Sequence, residues 1–201
     1  MTSATPITPS AAALEVAALW RPGMRLCLTT HVNPDGDGLG SEVAMVHLLR
    51  GLGIEAIITN PTATPDRFAF LFADLPGVDK SGQAVKELRR ADAILVLDIA
   101  DLGRLGILAE TVRERGVPVG CIDHHVSAGD LPAGPRYVDP TAAATGELIH
   151  RLAMELGWTI TPAAARAMYV ALVTDTGGFR FSNTKPATLR AAAALLELGV
   201  D

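Results

Sequence analysis

The chain has 201 residues, 49% hydrophobic and 19% charged, with 19 Gly and 13 Pro, which is globular composition and neither disordered nor collagen-like. Its net charge is -5 and only Lys80, Lys86 and Lys185 of its 17 basic residues are lysines, which argues against a protein that holds long duplex nucleic acid by phosphate neutralisation alone. No run of about 18 uncharged apolar residues is present to span a membrane, and residues 1–24 lack the basic start and long apolar core of a secretory signal, so the cytoplasm is the expected compartment.

In chain order, residues 1–9 are rich in Thr, Pro and Ser and are expected to be mobile. Ser10 can cap a helix reaching about Trp20. Met24 to Thr30 reads as a buried strand, followed by a glycine-rich loop from His31 to Gly40 and a helix from about Ser41 to Gly51. Ile54 to Thr59 is a second strand, and short helices are expected over Pro65–Phe72 and Gln83–Arg90. Ala93 to Asp98 (AILVLD) is the clearest buried strand; a helix over Leu105–Arg115, a strand over Val117–Ile122 and a short strand at Tyr137–Val138 follow. Helices are expected over 142–157, over 162–173 with Pro162 in the first helical position, and from about Pro186 to Leu198. Apolar strands alternating with helices predict an α/β fold, a mostly parallel sheet with helices on both faces. Cys27 and Cys121 lie in separate apolar runs and read as buried thiols rather than a disulfide.

In such a sheet ligands bind at the carboxyl ends of the strands. The first strand runs into His31-Val-Asn-Pro-Asp35-Gly-Asp37, the AILVL strand ends at Asp98, and the VPVGCI strand ends at Asp123-His124-His125. Asp175 follows the 162–173 helix in Thr174-Asp-Thr-Gly-Gly178. Carboxylates gathered at one edge repel one another and rise in pKa; bound dications remove that problem. Asp35, Asp37, Asp98 and Asp175 carry four negative charges, which two divalent metals neutralise. A mixed His and Asp ligand set suits Mn²⁺ or a similar transition metal better than Mg²⁺. In an extended loop, Asp35 and Asp37 point the same way and could each serve one of two neighbouring metals, with Gly36, Gly38 and Gly40 allowing sharp turns. His47 and His150 lie on expected helices away from the strand ends and read as surface or packed residues.

Taken together and in this order, His31-x-Asn-Pro-Asp-Gly-Asp37, Asp98, Asp123-His124-His125 and Thr174-Asp-Thr-Gly-Gly-Phe resemble the four motifs of the DHH phosphoesterase family, over about residues 24–200. With Thr145-Gly-Glu-Leu and Asp175-Thr-Gly-Gly-Phe-Arg-Phe-Ser-Asn-Thr184, the chain resembles the bacterial nanoRNase and pAp phosphatase branch, whose relatives include cyclic-dinucleotide and pApA hydrolases. The resemblance implies two Mn²⁺ ions, with Mg²⁺ or Co²⁺ as substitutes. It implies that His31 and Asp35 bind one metal, that Asp37, His124 and Asp175 bind the other, and that Asp98 bridges them. His125 is then a catalytic residue facing the scissile phosphate, and Asp123 orients an imidazole. Arg104, Arg180 and Asn183 become candidate substrate contacts, Arg104 having as its plainer reading a local ion pair with Asp101. Phe179 and Phe181 serve either packing or base stacking.

The expected function is hydrolysis of short RNA oligonucleotides to nucleoside monophosphates, with dephosphorylation of adenosine 3′,5′-bisphosphate (pAp). Family II pyrophosphatases share the start of the first motif, typically with Thr where this chain has Gly36, so a pyrophosphatase or exopolyphosphatase is the alternative, as is a cyclic-dinucleotide or pApA phosphodiesterase. A nucleotide-binding sensor that does not cleave is the non-enzymatic alternative. The branch also implies a second, smaller substrate-gripping domain with a Gly-Gly-Gly-His-type motif, which residues 10–201 do not contain; they read as the catalytic domain. The partners expected are short RNA or small nucleotides and no membrane, with room for a homodimer.

Overall fold

Five short strands are built from the β-branched and leucine-rich runs: β1 (Arg25–Thr29), β2 (Glu55–Ile58), β3 (Ala93–Leu97), β4 (Val119–Asp123) and β5 (Arg136–Val138). In the computed structural model, which describes residues 8–127 and 129–200, they pair in the order β2-β1-β3-β4-β5, every pair parallel. The expected mobile segment at 1–9 falls outside the described residues for positions 1–7. In register, Leu28 lies beside Ile58 and Leu95, and Val96 beside Cys121. The chain leaves β1 first toward β2 and then returns to its other side for β3, so the β1/β3 boundary is the switch point at which such sheets bind ligands.

Alternating strand residues feed two cores. Leu26, Leu28, Leu95, Leu97 and Ile122 face one side, packed with buried residues of α1 (Ala11–Ala17), α2 (Gly36–Gly51), α5 (Thr145–Glu155), α6 (Pro162–Asp175) and α7 (Pro186–Glu197). Cys27, Ile94, Val96 and Cys121 face the other, against α3 (Ala84–Leu88), a 3₁₀ segment at Leu102–Leu108 and α4 (Ala109–Glu114). Both cysteines are buried and free. Each face is therefore covered, which is why the strands read as continuous apolar runs and not as alternating ones. No helix among the described residues is long and apolar enough to cross a membrane.

Four elements differ from the sequence expectation. Residues 66–72 wind as a 3₁₀ helix, and the expected 105–115 helix is split, its first part being 3₁₀ and broken by Gly106 at φ +53°. The helix expected from 142 starts at Thr145, because Ala144 is extended (φ -160°, ψ 155°). Most consequentially, the glycine-rich stretch is helical: α2 begins at Gly36, with Asp35 as its N-cap. The glycines are there for close approach. A Cβ on Gly40 would stand 2.5 Å from the Ala167 carbonyl oxygen of α6 and 3.1 Å from the Ala171 nitrogen, and one on Gly36 would collide with the Thr174 side chain. The first turns of α2 thus lie directly on the last turns of α6, which carries Asp175.

Candidate metal centre

His31 follows β1 by two residues and is nearly buried. Its Nδ1–H donates to the Val32 carbonyl (2.9 Å), which leaves Nε2 as the free nitrogen. That Nε2 lies 3.8 Å from Asp35 Oδ2 and 3.7 Å from Asp98 Oδ2. Asp35 uses its other oxygen to cap α2, accepting from the amides of Asp37 (3.0 Å) and Gly38 (3.1 Å).

Asp37 sits in the first turn of α2 and is fully buried. The Thr145 amide donates to its Oδ2 (2.7 Å), the Gly146 amide to Oδ1 (3.0 Å), and Ser41 Oγ to Oδ1 (3.2 Å). The N-cap of α5, Ala144, supplies no side-chain acceptor, so the first amides of that helix are capped from 108 residues away. Asp98 follows β3 with φ +57°, and Ala100 has φ +55°. Left-handed backbone of this kind costs a non-glycine residue roughly 1–3 kcal/mol and is held by its surroundings. Thr145 Oγ1 donates to Asp98 Oδ1 (3.1 Å).

His124 follows β4. Its Nδ1 lies 3.4 Å from the Ala142 carbonyl, and its Nε2 is buried with no hydrogen-bond partner. That nitrogen is 3.5 Å from Asp37 Oδ2, 3.5 Å from Asp98 Oδ1 and 3.4 Å from Asp175 Oδ2. The side chains therefore form two donor groups, His31–Asp35–Asp98 and Asp37–His124–Asp175, within each of which all ligand atoms lie within 4.8 Å of one another. Asp98 turns Oδ2 toward the first and Oδ1 toward the second. A third group joins Asp98 and His124 to His125, but the His125 nitrogen concerned, Nδ1, is already held by Asp123 Oδ1 (2.8 Å). Asp123 also accepts from the His125 amide (3.2 Å) and, through Oδ2, from Ala100 N (2.9 Å), tying the β3 and β4 exits together.

Charge is unbalanced in this cluster. Burial, with Asp98 and Asp175 nearby, raises the Asp37 carboxyl well above the ordinary range. Burial also raises Asp175, reinforced by Asp98 and Asp35 against His124. Burial pulls the His31 imidazole down, but its contacts to Asp35 and Asp98 outweigh this and lift it to about 10. Asp35, pushed up by burial, is drawn down to about 2 by His31 and by the Gly38 and Asp37 amides. An unpartnered imidazole nitrogen facing three carboxylates, with its opposite nitrogen turned to a carbonyl, fits a divalent cation: the ion supplies the positive charge and the lone pair's partner.

The remaining expected residues are placed as follows. Arg104 is exposed, and none of the ion pairs among the described residues includes it; Asp101 instead accepts from the Gly103 and Asp130 amides (2.7 Å each), so the local Asp101–Arg104 pair is not formed. Arg104 lowers the pKa of His125 through space, although the hydrogen bond to Asp123 dominates and raises it. Arg180 Nε donates to the Gly177 carbonyl (2.7 Å). Asn183 Nδ2 donates to the carbonyls of Ala143 (3.0 Å) and Asp175 (3.1 Å), which makes it a brace between α6 and the approach to α5. Phe181 is exposed, its ring beside Gly177, whereas Phe179 packs near Tyr169. His47 lies 3.7 Å from Asp74, and neither it nor His150 joins a donor group. Sequence reasoning missed the supporting hydrogen bonds of Ser41, Thr145 and Gly146; the lack of any capping side chain at Ala144 was the one local sign of them.

The chain is similar to known proteins over most of its length. The N-terminal domain of the DHH family matches residues 25–172. Bifunctional oligoribonuclease and PAP phosphatase NrnA of Thermus thermophilus is 36% identical over 182 residues, 86% of this chain and 50% of that protein. The Bacillus subtilis protein of the same name is 30% identical over 182 residues, 86% of this chain and 52% of its own length. The chain thus spans about half the length of these curated relatives. The crystal structure of an exopolyphosphatase-related protein from Bacteroides fragilis superposes with a TM-score of 0.84 at 26% identity, over 98% of this chain and 59% of that one. With its motifs in order, its parallel sheet and its His/Asp cluster at the strand ends, the chain belongs to the DHH family of phosphoesterases.

Proposed function

We propose that residues 10–201 form a Mn²⁺-dependent, two-metal phosphoesterase unit that hydrolyses short RNA to nucleoside monophosphates and removes a phosphate from pAp. The observation that carries this reading is Asp98, whose two oxygens face two separate donor groups. His31 and Asp35 would hold one ion, Asp37, His124 and Asp175 the other, and Asp98 both. When bound, such ions offset charge on the phosphoryl oxygens and acidify an attacking water.

The chain's own residues supply the rest. Asp123 fixes His125 by Nδ1, so that Nε2 is free to meet the substrate and give a proton to the leaving oxygen. The same contact raises the pKa of His125 and favours its protonated form. Arg104, exposed and unpaired beside it, suits a phosphate oxygen. Arg180 extends the positive rim on the Asp175 side, and Asn183 acts through the backbone that holds Asp175. The exposed Phe181 ring offers a face for a base.

The test is mononucleotide release from a 5′-phosphorylated ribodinucleotide in Mn²⁺, with pAp and pyrophosphate in parallel and Asp98→Ala as control. Turnover of the dinucleotide or pAp that the control lacks supports the proposal; full turnover by Asp98→Ala refutes the two-metal assignment. The similarity to an exopolyphosphatase-related protein favours a second reading, phosphoanhydride hydrolysis, which faster turnover of pyrophosphate than of the dinucleotide would establish. Tight nucleotide binding without product in Mn²⁺ would support a sensor instead.

A further inference from the structure

Thr145 touches two carboxylates of the centre, Asp37 of the second donor group and Asp98 of the first, whose Oδ1 faces the second. Its amide donates to Asp37 Oδ2 at 2.7 Å and its hydroxyl to Asp98 Oδ1 at 3.1 Å, and all three residues are buried. The two contacts differ in kind. The amide is fixed by the start of α5 and survives any substitution that keeps the helix. The hydroxyl holds Asp98 Oδ1, the oxygen that faces His124 Nε2 and His125 Nδ1 at 3.5 Å each. The Thr145 hydroxyl bonds Oδ1 and not Oδ2, the oxygen facing His31 at 3.7 Å. Asp98 also sits on left-handed backbone at φ +57°, a conformation that persists where the surrounding structure holds it.

We infer that Thr145 is a positioning residue that aims the shared carboxylate of Asp98 at the His124 side of the centre, so that its hydroxyl sets the affinity of one metal position and not of the other. This rests on the two-metal reading above. Hydrogen-bonding partners of ligating carboxylates typically change metal affinity about 10–100-fold when removed. Thr145→Ala removes the hydroxyl without adding bulk, Thr145→Val replaces it with a methyl group of similar shape, and Thr145→Ser restores it.

The experiment is a Mn²⁺ titration of each full chain by calorimetry and electron paramagnetic resonance, with circular dichroism melts of the metal-free proteins. The wild type is expected to bind two ions. Thr145→Ala and Thr145→Val are expected to lose about 10–100-fold in affinity at one position, to keep the other near wild type, and to fold normally without metal; Thr145→Ser is expected to bind like the wild type. Equal binding by Thr145→Ala and wild type overturns the inference alone, as does equal loss at both positions or a Thr145→Ser protein as weak as Thr145→Ala. If Thr145→Val does not fold, Thr145→Ala decides. A wild-type chain that binds no Mn²⁺ overturns the two-metal reading and this inference with it.

Discussion

Gly40→Ala sets two effects of known size against each other. In a helix interior alanine is better than glycine by about 1 kcal/mol, so on α2 alone the change stabilises. The new methyl, however, would lie 2.5 Å from the Ala167 carbonyl oxygen, 3.1 Å from the Ala171 nitrogen and 3.2 Å from the Ala171 Cβ. Carbon–oxygen contacts normally begin near 3.3 Å, so α2 and α6 must part by most of an ångström, and two of the opposing atoms are backbone that cannot rotate away. Overpacking of this kind costs typically about 1–3 kcal/mol, and a backbone clash belongs in the upper half of that range. The net expectation is a loss of about 1–2 kcal/mol, or roughly 2–8 °C in Tm for a domain of this size. Gly51→Ala is the matched control: it ends the same helix with no atom within 4 Å of its added methyl, and it should be neutral or gain up to about 1 kcal/mol. Urea unfolding of the metal-free proteins, compared at equal m-values, reads both. A Gly40→Ala protein as stable as the wild type would refute the close-approach account of these glycines.

Three further outcomes follow from the site. Mn²⁺ at about a hundred times its Kd should stabilise the fold by about 2.7 kcal/mol per ion, and chelation or Asp98→Asn should remove most of that rise in Tm; a wild-type Tm indifferent to Mn²⁺ contradicts the metal centre. His125→Ala should slow dinucleotide hydrolysis by about 10²–10⁴ while leaving Mn²⁺ binding in place, whereas loss of an ion in the titration would make His125 a ligand. Glu42 is fully buried on α2, with Oε2 on Asn60 Nδ2 (2.8 Å) and Oε1 without a partner, and burial raises its carboxyl well above the ordinary 4.5. The folded state therefore retains a proton that the unfolded chain releases, so this contribution is intact below the unfolded pKa and is lost as pH rises through the folded one. Glu42→Gln should match the wild type in acid and gain over it as pH rises above 4.5, measured by urea unfolding of the metal-free chains; a gain that does not grow with pH refutes the assignment.

The sheet and the metal centre were legible to different depths. Apolar runs ending in Asp98, in Asp123-His124-His125 and in His31 announced both the strands and the edge at which they converge, because the parallel topology forces strand ends together. Asp175 was legible from its own Thr-Asp-Thr-Gly-Gly turn. The start of α2 was not, because three alternate glycines signal a loop locally, and only the nearness of α6 turns them into a helix. Likewise the Thr145 and Gly146 amides that hold Asp37 are groups any residue possesses and leave no mark in composition. Asn183 carries a substrate-like side chain, yet its amide is committed to two carbonyls that only the folded chain brings within reach.

The capping of α5 by Asp37 places the centre in competition with ordinary helix chemistry. A Ser or Asp at position 144 is what helix capping would favour, and its side chain would offer the second and third amides of α5 a local acceptor in place of one from another helix. The helix would gain stability and Asp37 Oδ1 would meet competition for the Gly146 amide, while the Thr145 amide and Ser41 still held the carboxylate. Ala144 is thus a position where the locally better residue is the worse one for the protein. Engineering that raises thermal stability by repairing uncapped helices would loosen a carboxylate of the candidate metal centre without substituting any residue of its donor groups.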